Sequence, residues 1–155
     1  MEQRRFSLTQ YKQDYLNAIS NTDHRTLAVW ANDCTERVIH YFEESYPNDS
    51  RPRNAIAILQ KWIDTGDFSM NIIRQASLEA HAAAKEYGND TSACSAAHSA
   101  GQAVATAHVP THSIGSALYA LRAVYRENAD DVATYKVDTE KDWQLKHLNE
   151  LRVKE

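Results

Sequence analysis

Apolar residues recur along this chain at intervals of three and four, the spacing of one helix face, and no segment alternates convincingly at period two. The pattern predicts an all-α fold of about six or seven helices. Ser7-Leu8-Thr9-Gln10 reads as a capping box that opens a first helix running to about residue 20, with Leu8, Tyr11, Tyr15, Leu16 and Ile19 on one side. A second helix is expected from about Asp23 to Tyr46, where Pro47 stops it. Its buried stripe is Leu27, Trp30, Ala31, Cys34, Val38 and Tyr41. Ser50 as N-cap and Pro52 in the first turn begin a third, which carries Ile56, Leu59, Trp62 and Ile63 and ends before Gly66. The fourth starts after Ser69 and closes at Gly88.

The next segment changes character. From Thr91 to His108 the inward positions are Ala93, Ala97, Ala100, Gly101, Val104 and His108, a face small enough for two helix backbones to approach closely. This Ala-rich element is expected to be the central, most buried helix. Pro110 lacks an N–H for the carbonyl of Thr106 and crowds that turn, so the helix should break there before another runs from about 111 to 126. Residues 127–138 read as a polar connection, and 139–152 as an exposed amphipathic helix bearing Trp143, Leu145, Leu148 and Leu151.

A length of 155 residues is that of one ordinary domain, and the expectation is a single helical domain over 1–155. Four glycines and three prolines favour helices over tight hairpins. The net charge is −4, and the 17 basic residues form no stripe, which argues against nucleic acid or acidic lipid as partners. No run of 18 apolar residues and no signal-like N-terminus occurs, so a cytoplasmic protein is expected. Cys34 and Cys94 lie in unrelated apolar patterns with no CxxC, which predicts buried free thiols.

Four of the seven histidines, His81, His98, His108 and His112, fall in the Ala-rich half, and the Ala-His-x-Ala pieces around His81 and His98 match one another. His108 and His112 stand four apart, and Asp33 or Glu36 would be the oxygen ligands if the pair held a metal. There is no HExxH and no paired ExxH, and Pro110 disturbs the turn that would set the ligand spacing. The favoured reading has no metal and no cofactor. It has His108 largely buried and hydrogen-bonded to an Asp, a Thr or a backbone carbonyl, at the point where Pro110 frees the Thr106 carbonyl, and His112 as the more exposed of the two. On the second helix, Asp33 with Arg37 and Asn32 with Glu36 are spaced to pair. Arg51 and Arg53 flank a helix N-terminus, where salt bridges to Asp23 or Glu36 are favoured over anion binding.

The segments DHRTLAVWANDCTERV (23–38), RPRNAI (51–56), AHAAAK (80–85) and AGQAVATAHVPTH (100–112), in this order, resemble the immunity proteins of bacterial polymorphic-toxin systems. The resemblance covers about residues 20–125. It implies a small helical, non-catalytic protein that binds and neutralises a cognate toxin, with a homodimer compatible with the pattern. It also implies a shared polar network or small pocket made of Asp23, His24, Asp33, Glu36, Arg37, Arg51, Arg53, His81, His108 and His112. Pro110 and Thr35 depart from the family pattern, standing where it has an ordinary helix former and a common alanine. The alternative from a different class is a small metal-dependent or hydrolytic helical enzyme using the His108/His112 region.

Overall fold

The computed structural model describes residues 7, 9–88 and 90–154. Among them are eight helices and no strand: α1 (Thr9–Ile19), α2 (His24–Glu36), α3 (Ile39–Ser45), α4 (Arg51–Thr65), α5 (Met70–Glu86), α6 (Ser92–Ala105), α7 (His112–Glu127) and α8 (Asp130–Val153). The expected position of Leu8 lies outside the described residues.

Local chemistry sets most boundaries. The side chains of Asp23, Ser69 and Thr91 accept from Thr26 N, Ile72 N and Cys94 N, satisfying donors that a helix start leaves orphaned. Gly66 ends α4 at φ +73°, in the left-handed region that favours glycine. Ser50 is the N-cap residue of α4, as expected, but its side chain makes no capping bond; Asp49 Oδ1 accepts from Arg51 N at 3.1 Å instead.

Three expected boundaries are corrected. The second helix is two, because the chain breaks at Arg37 and Val38 and turns so that Ile39 and Phe42 of α3 bury separately. The β-branched cluster Thr35, Val38 and Ile39 weakens the helix at this point. The Ala-rich helix stops at Ala105, short of His108, and the amides of Thr106, Ala107 and His108 bond three residues back instead of four. This tightening is how the chain accommodates Pro110. The last helix starts at Asp130 rather than 139, and its buried stripe is Ala133, Val137, Glu140, Gln144 and Leu148. Two polar residues on the inward face hide that periodicity from a hydrophobicity reading.

α6 sits in the middle, with α5 and α7 along its sides and α2, α3 and α4 also against it; α8 lies over α7 and α2. Ten of its 14 residues are buried, and none of these is larger than valine. Cys34 and Cys94 are buried free thiols, as expected, and burial raises the pKa of both.

The outer layer is tied to the core through Gln144, which is fully buried. Its Oε1 accepts from the Tyr15 hydroxyl at 2.5 Å, its Nε2 donates to the Ala117 carbonyl at 3.1 Å, and its own carbonyl accepts from Trp30 Nε1 at 2.8 Å. One residue of α8 therefore joins α1, α2 and α7. Gln144→Leu nearly keeps the volume but strands the buried Tyr15 hydroxyl and removes the second bond to the Ala117 carbonyl. It is expected to lower the urea-unfolding free energy by about 2–4 kcal/mol without altering the helical circular dichroism of the folded state.

Candidate functional site

Most of the charged residues singled out in the sequence bind one helix to another. Arg37 makes a two-pronged pair with Glu140 of α8 (Nε–Oε2 2.6 Å and Nη2–Oε1 2.9 Å), and its guanidinium lies 3.9 Å from the Trp143 ring centroid. The pairing of Arg37 with Asp33 does not form; Asp33 instead meets His147 Nε2 at 2.7 Å. Asn32 and Glu36 also stay apart. Asn32 donates to the Ile56 carbonyl at 3.1 Å, while Glu36 pairs with Arg53 at 2.5 Å, and Arg53 also holds Glu43. Arg51 is gripped by Asp49 and Glu86, linking the start of α4 to the end of α5. The Arg51 guanidinium pulls the Asp49 carboxyl down to about 2. Asp23 caps α2. Apart from the local pairs Asp23 with Thr26 and Arg51 with Asp49, the partner comes from another element, which sequence spacing does not reveal.

Pro110 acts as expected on Thr106, but a different histidine answers it. His24 Nε2 donates to the Thr106 carbonyl at 2.5 Å, and its ring packs against Trp62 with centroids 4.7 Å apart. His108 is exposed, next to the Phe68 ring, and His112 is the half-buried member of the pair, with Nδ1 donating to Gln102 Oε1 at 2.9 Å. The expected burial order of the two is therefore reversed. Because the helix ends at Ala105, His108 leaves the small-residue seam, whereas His112 opens α7 beside α6. Thr35, at the family's common alanine position, is absorbed into a buried hydroxyl cluster with Ser99 (2.8 Å) and Ser116 (2.9 Å).

The structure does bring His81, His108 and His112 together. They line a groove of about 220 Å³ between α5, α6 and the turn that leads into α7. Met70, Ile73, Leu78 and Ala105 supply its apolar walls, and Arg74, Ser77 and Gln102 its remaining polar groups. Two glycines shape the wall. A Cβ on Gly101 would lie 2.6 Å from His81 Nε2, and one on Gly115 would lie 2.7 Å from Gln102 Oε1. Each glycine leaves room for a polar side chain to lie flat against a helix. His81 Nδ1 and His98 Nδ1 are 2.6 Å apart, one ring donating to the other, and His98 packs on Tyr119. Burial is the main cause of a lowered pKa at all three of His81, His98 and His112. For His98, helped by the neighbouring His81, it falls to about 4. At neutral pH these rings are uncharged hydrogen-bonding groups. Asp33 and Glu36 are engaged elsewhere, and among the described residues no group of three or more His, Cys, Asp or Glu is arranged to hold a metal ion.

The family described as Imm-5 like putative immunity protein matches residues 17–151. The chain belongs to this family. The match extends past the sequence resemblance at 20–125 and takes in nearly all of α8, whose Glu140 and Gln144 hold α1, α2 and α7. No curated protein and no solved structure matches the chain significantly. In this immunity-family chain, sequence reasoning missed Gln102, His98 and Arg74. The repeated Ala-His-x-Ala pieces were the available signal for His98; nothing in the sequence marks the other two.

Two outcomes test the geometry. Imidazoles that resist protonation in the fold take up protons in the unfolded chain, near the ordinary pKa of about 6.5. Stability is therefore full above about pH 6.5 and lost as the pH falls towards 4. Urea unfolding at pH 5 should give a free energy lower than at pH 7.5 by on the order of 1–2 kcal/mol, allowing for partial solvation, and His98→Gln should shrink that difference.

Gly101→Leu should cost about 1–3 kcal/mol by overpacking against His81. Gly101→Ala should also destabilise the native protein, yet in a His81→Ala background the same change should stabilise by up to about 1 kcal/mol through helix propensity. The double-mutant cycle measures the coupling.

Proposed function

We propose that this chain is a non-catalytic immunity protein that binds and neutralises the toxin of a bacterial polymorphic-toxin system, acting in the cytoplasm of its producer. The family match across 17–151 carries the reading. The use of the polar residues supports it. Asp33, Glu36, Arg37, Arg51 and Arg53 have their charges committed to partners on neighbouring helices, and Asp23 and His24 cap or cover backbone groups. Such a set gives a common scaffold, and toxin selection falls to exposed residues. Apolar side chains are available for that: Phe68, Ile72 and Leu78 are each at least half exposed. No helix among the described residues is long and apolar enough to cross a membrane.

The test is expression of the protein encoded by the gene next to this one, with and without the chain, in a host that lacks both. Growth arrest by the neighbour alone, relieved by the chain and accompanied by a co-purifying complex, is the expected outcome. A harmless neighbour, or a toxic one that the chain neither binds nor relieves, removes the reading.

A further inference from the structure

The groove between α5 and α6 combines features that select a ligand. Its lining contains Arg74, His81, His108 and His112 and no carboxylate, on a chain with 21 acidic and 17 basic residues. The local charge is thus opposite in sign to that of the whole molecule. Arg74 is exposed and forms no ion pair among the described residues, whereas Arg37, Arg51 and Arg53 all do. A guanidinium placed this way matches a carboxylate in a charge-assisted, two-pronged hydrogen bond.

The walls around that cation are apolar. Met70, Ile73 and Ala105 line the interior, Leu78 stands at the edge 59% exposed, and Phe68, 50% exposed, lies beside His108. The volume of about 220 Å³ corresponds to about seven waters of liquid, room for one aromatic or branched aliphatic side chain with an adjoining carboxylate. The floor is held in place: His81 is tied to His98, and Gln102 to His112. Because the Gln102 oxygen is used in that bond, its amide N–H groups are the part left to meet an acceptor.

We propose that this groove is a binding site for an apolar side chain that adjoins a carboxylate, presented by the toxin. The second half of that statement rests on the immunity reading. The ligand chemistry does not. Apolar burial supplies the attraction and Arg74 supplies the sign of charge, the arrangement of an anchor pocket with a charged rim.

The chemistry is tested by titrating the full chain with 3-phenylpropanoate and following backbone and side-chain amide resonances. Saturable shifts confined to residues 68–81 and 102–112, including the Gln102 side-chain amide, are expected. Arg74→Gln should weaken binding about fivefold, and 2-phenylethylammonium, with the same ring and the opposite charge, should bind at least about tenfold more weakly. Absence of localised shifts up to about 20 mM, equal binding of the ammonium compound, or no effect of Arg74→Gln overturns the proposal.

The source of the ligand is tested in the growth assay with the variant Arg74→Glu/Leu78→Glu, both surface positions, checked for unchanged thermal unfolding. Loss of protection is expected. A variant that protects as well as the native chain overturns the groove as the toxin site while leaving the immunity reading intact. Failure of the native chain itself to protect removes the immunity reading, and with it the toxin as source, while the titration still decides the ligand chemistry.

Discussion

Everything in this fold follows from a central helix made of small residues. α6 buries Ala93, Ala96, Ala97, Ala100, Gly101 and Ala103 against several neighbours at once. Alanine and glycine faces allow close approach of the backbones, and they leave few large side chains to fill the space between. Larger groups must come from the surrounding helices, as Trp30, Phe42, Leu59 and Leu121 do. The cost of close approach is that every polar atom in the seam needs a partner. Ser99 and Ser116 meet Thr35, Ser116 also donates to the Ala31 carbonyl, and Ser77 to the Gly101 carbonyl.

The groove is a product of the same constraint. At Gly101 and Gly115 the helix surface is flat enough for His81 and Gln102 to lie across it, so polar groups stand where an ordinary core would place leucine. Pinned by His98 and His112, they form a rigid polar floor under apolar walls. Burial keeps these imidazoles neutral at physiological pH, which makes Arg74 the fixed charge of the groove.

Around this core the charged residues set helix register. Individually, partly exposed ion pairs contribute little to stability. Arg37 with Glu140, Arg53 with Glu36 and Glu43, and His147 with Asp33 nonetheless specify which turn of one helix faces which turn of another. Two polar residues of α8, Glu140 and Gln144, are thereby held on its inward face among Ala133, Val137 and Leu148. A scaffold that uses its charges internally leaves recognition to the residues outside it.

The sequence by itself determined the all-α class, the dominance of the 91–108 segment, the helix starts near Asp23, Ser69 and Thr91, and the freeing of the Thr106 carbonyl by Pro110. Each depends on short-range periodicity or on the chemistry of a single turn, and both are written in consecutive residues. Tertiary structure decided the rest. The start of α8 was hidden because Glu140 and Gln144 are polar by composition and buried only by virtue of Arg37, Tyr15 and Ala117, residues far away along the chain. The helix break at Val38 depends on where Ile39 and Phe42 find a core. That His24 rather than His108 meets the Thr106 carbonyl, and that His112 rather than His108 is the buried member of its pair, were set by where the tightened turn after Ala105 points the chain. Partners 82 residues apart, as His24 and Thr106 are, have no signature in spacing; only the packed arrangement of the helices brings them within reach.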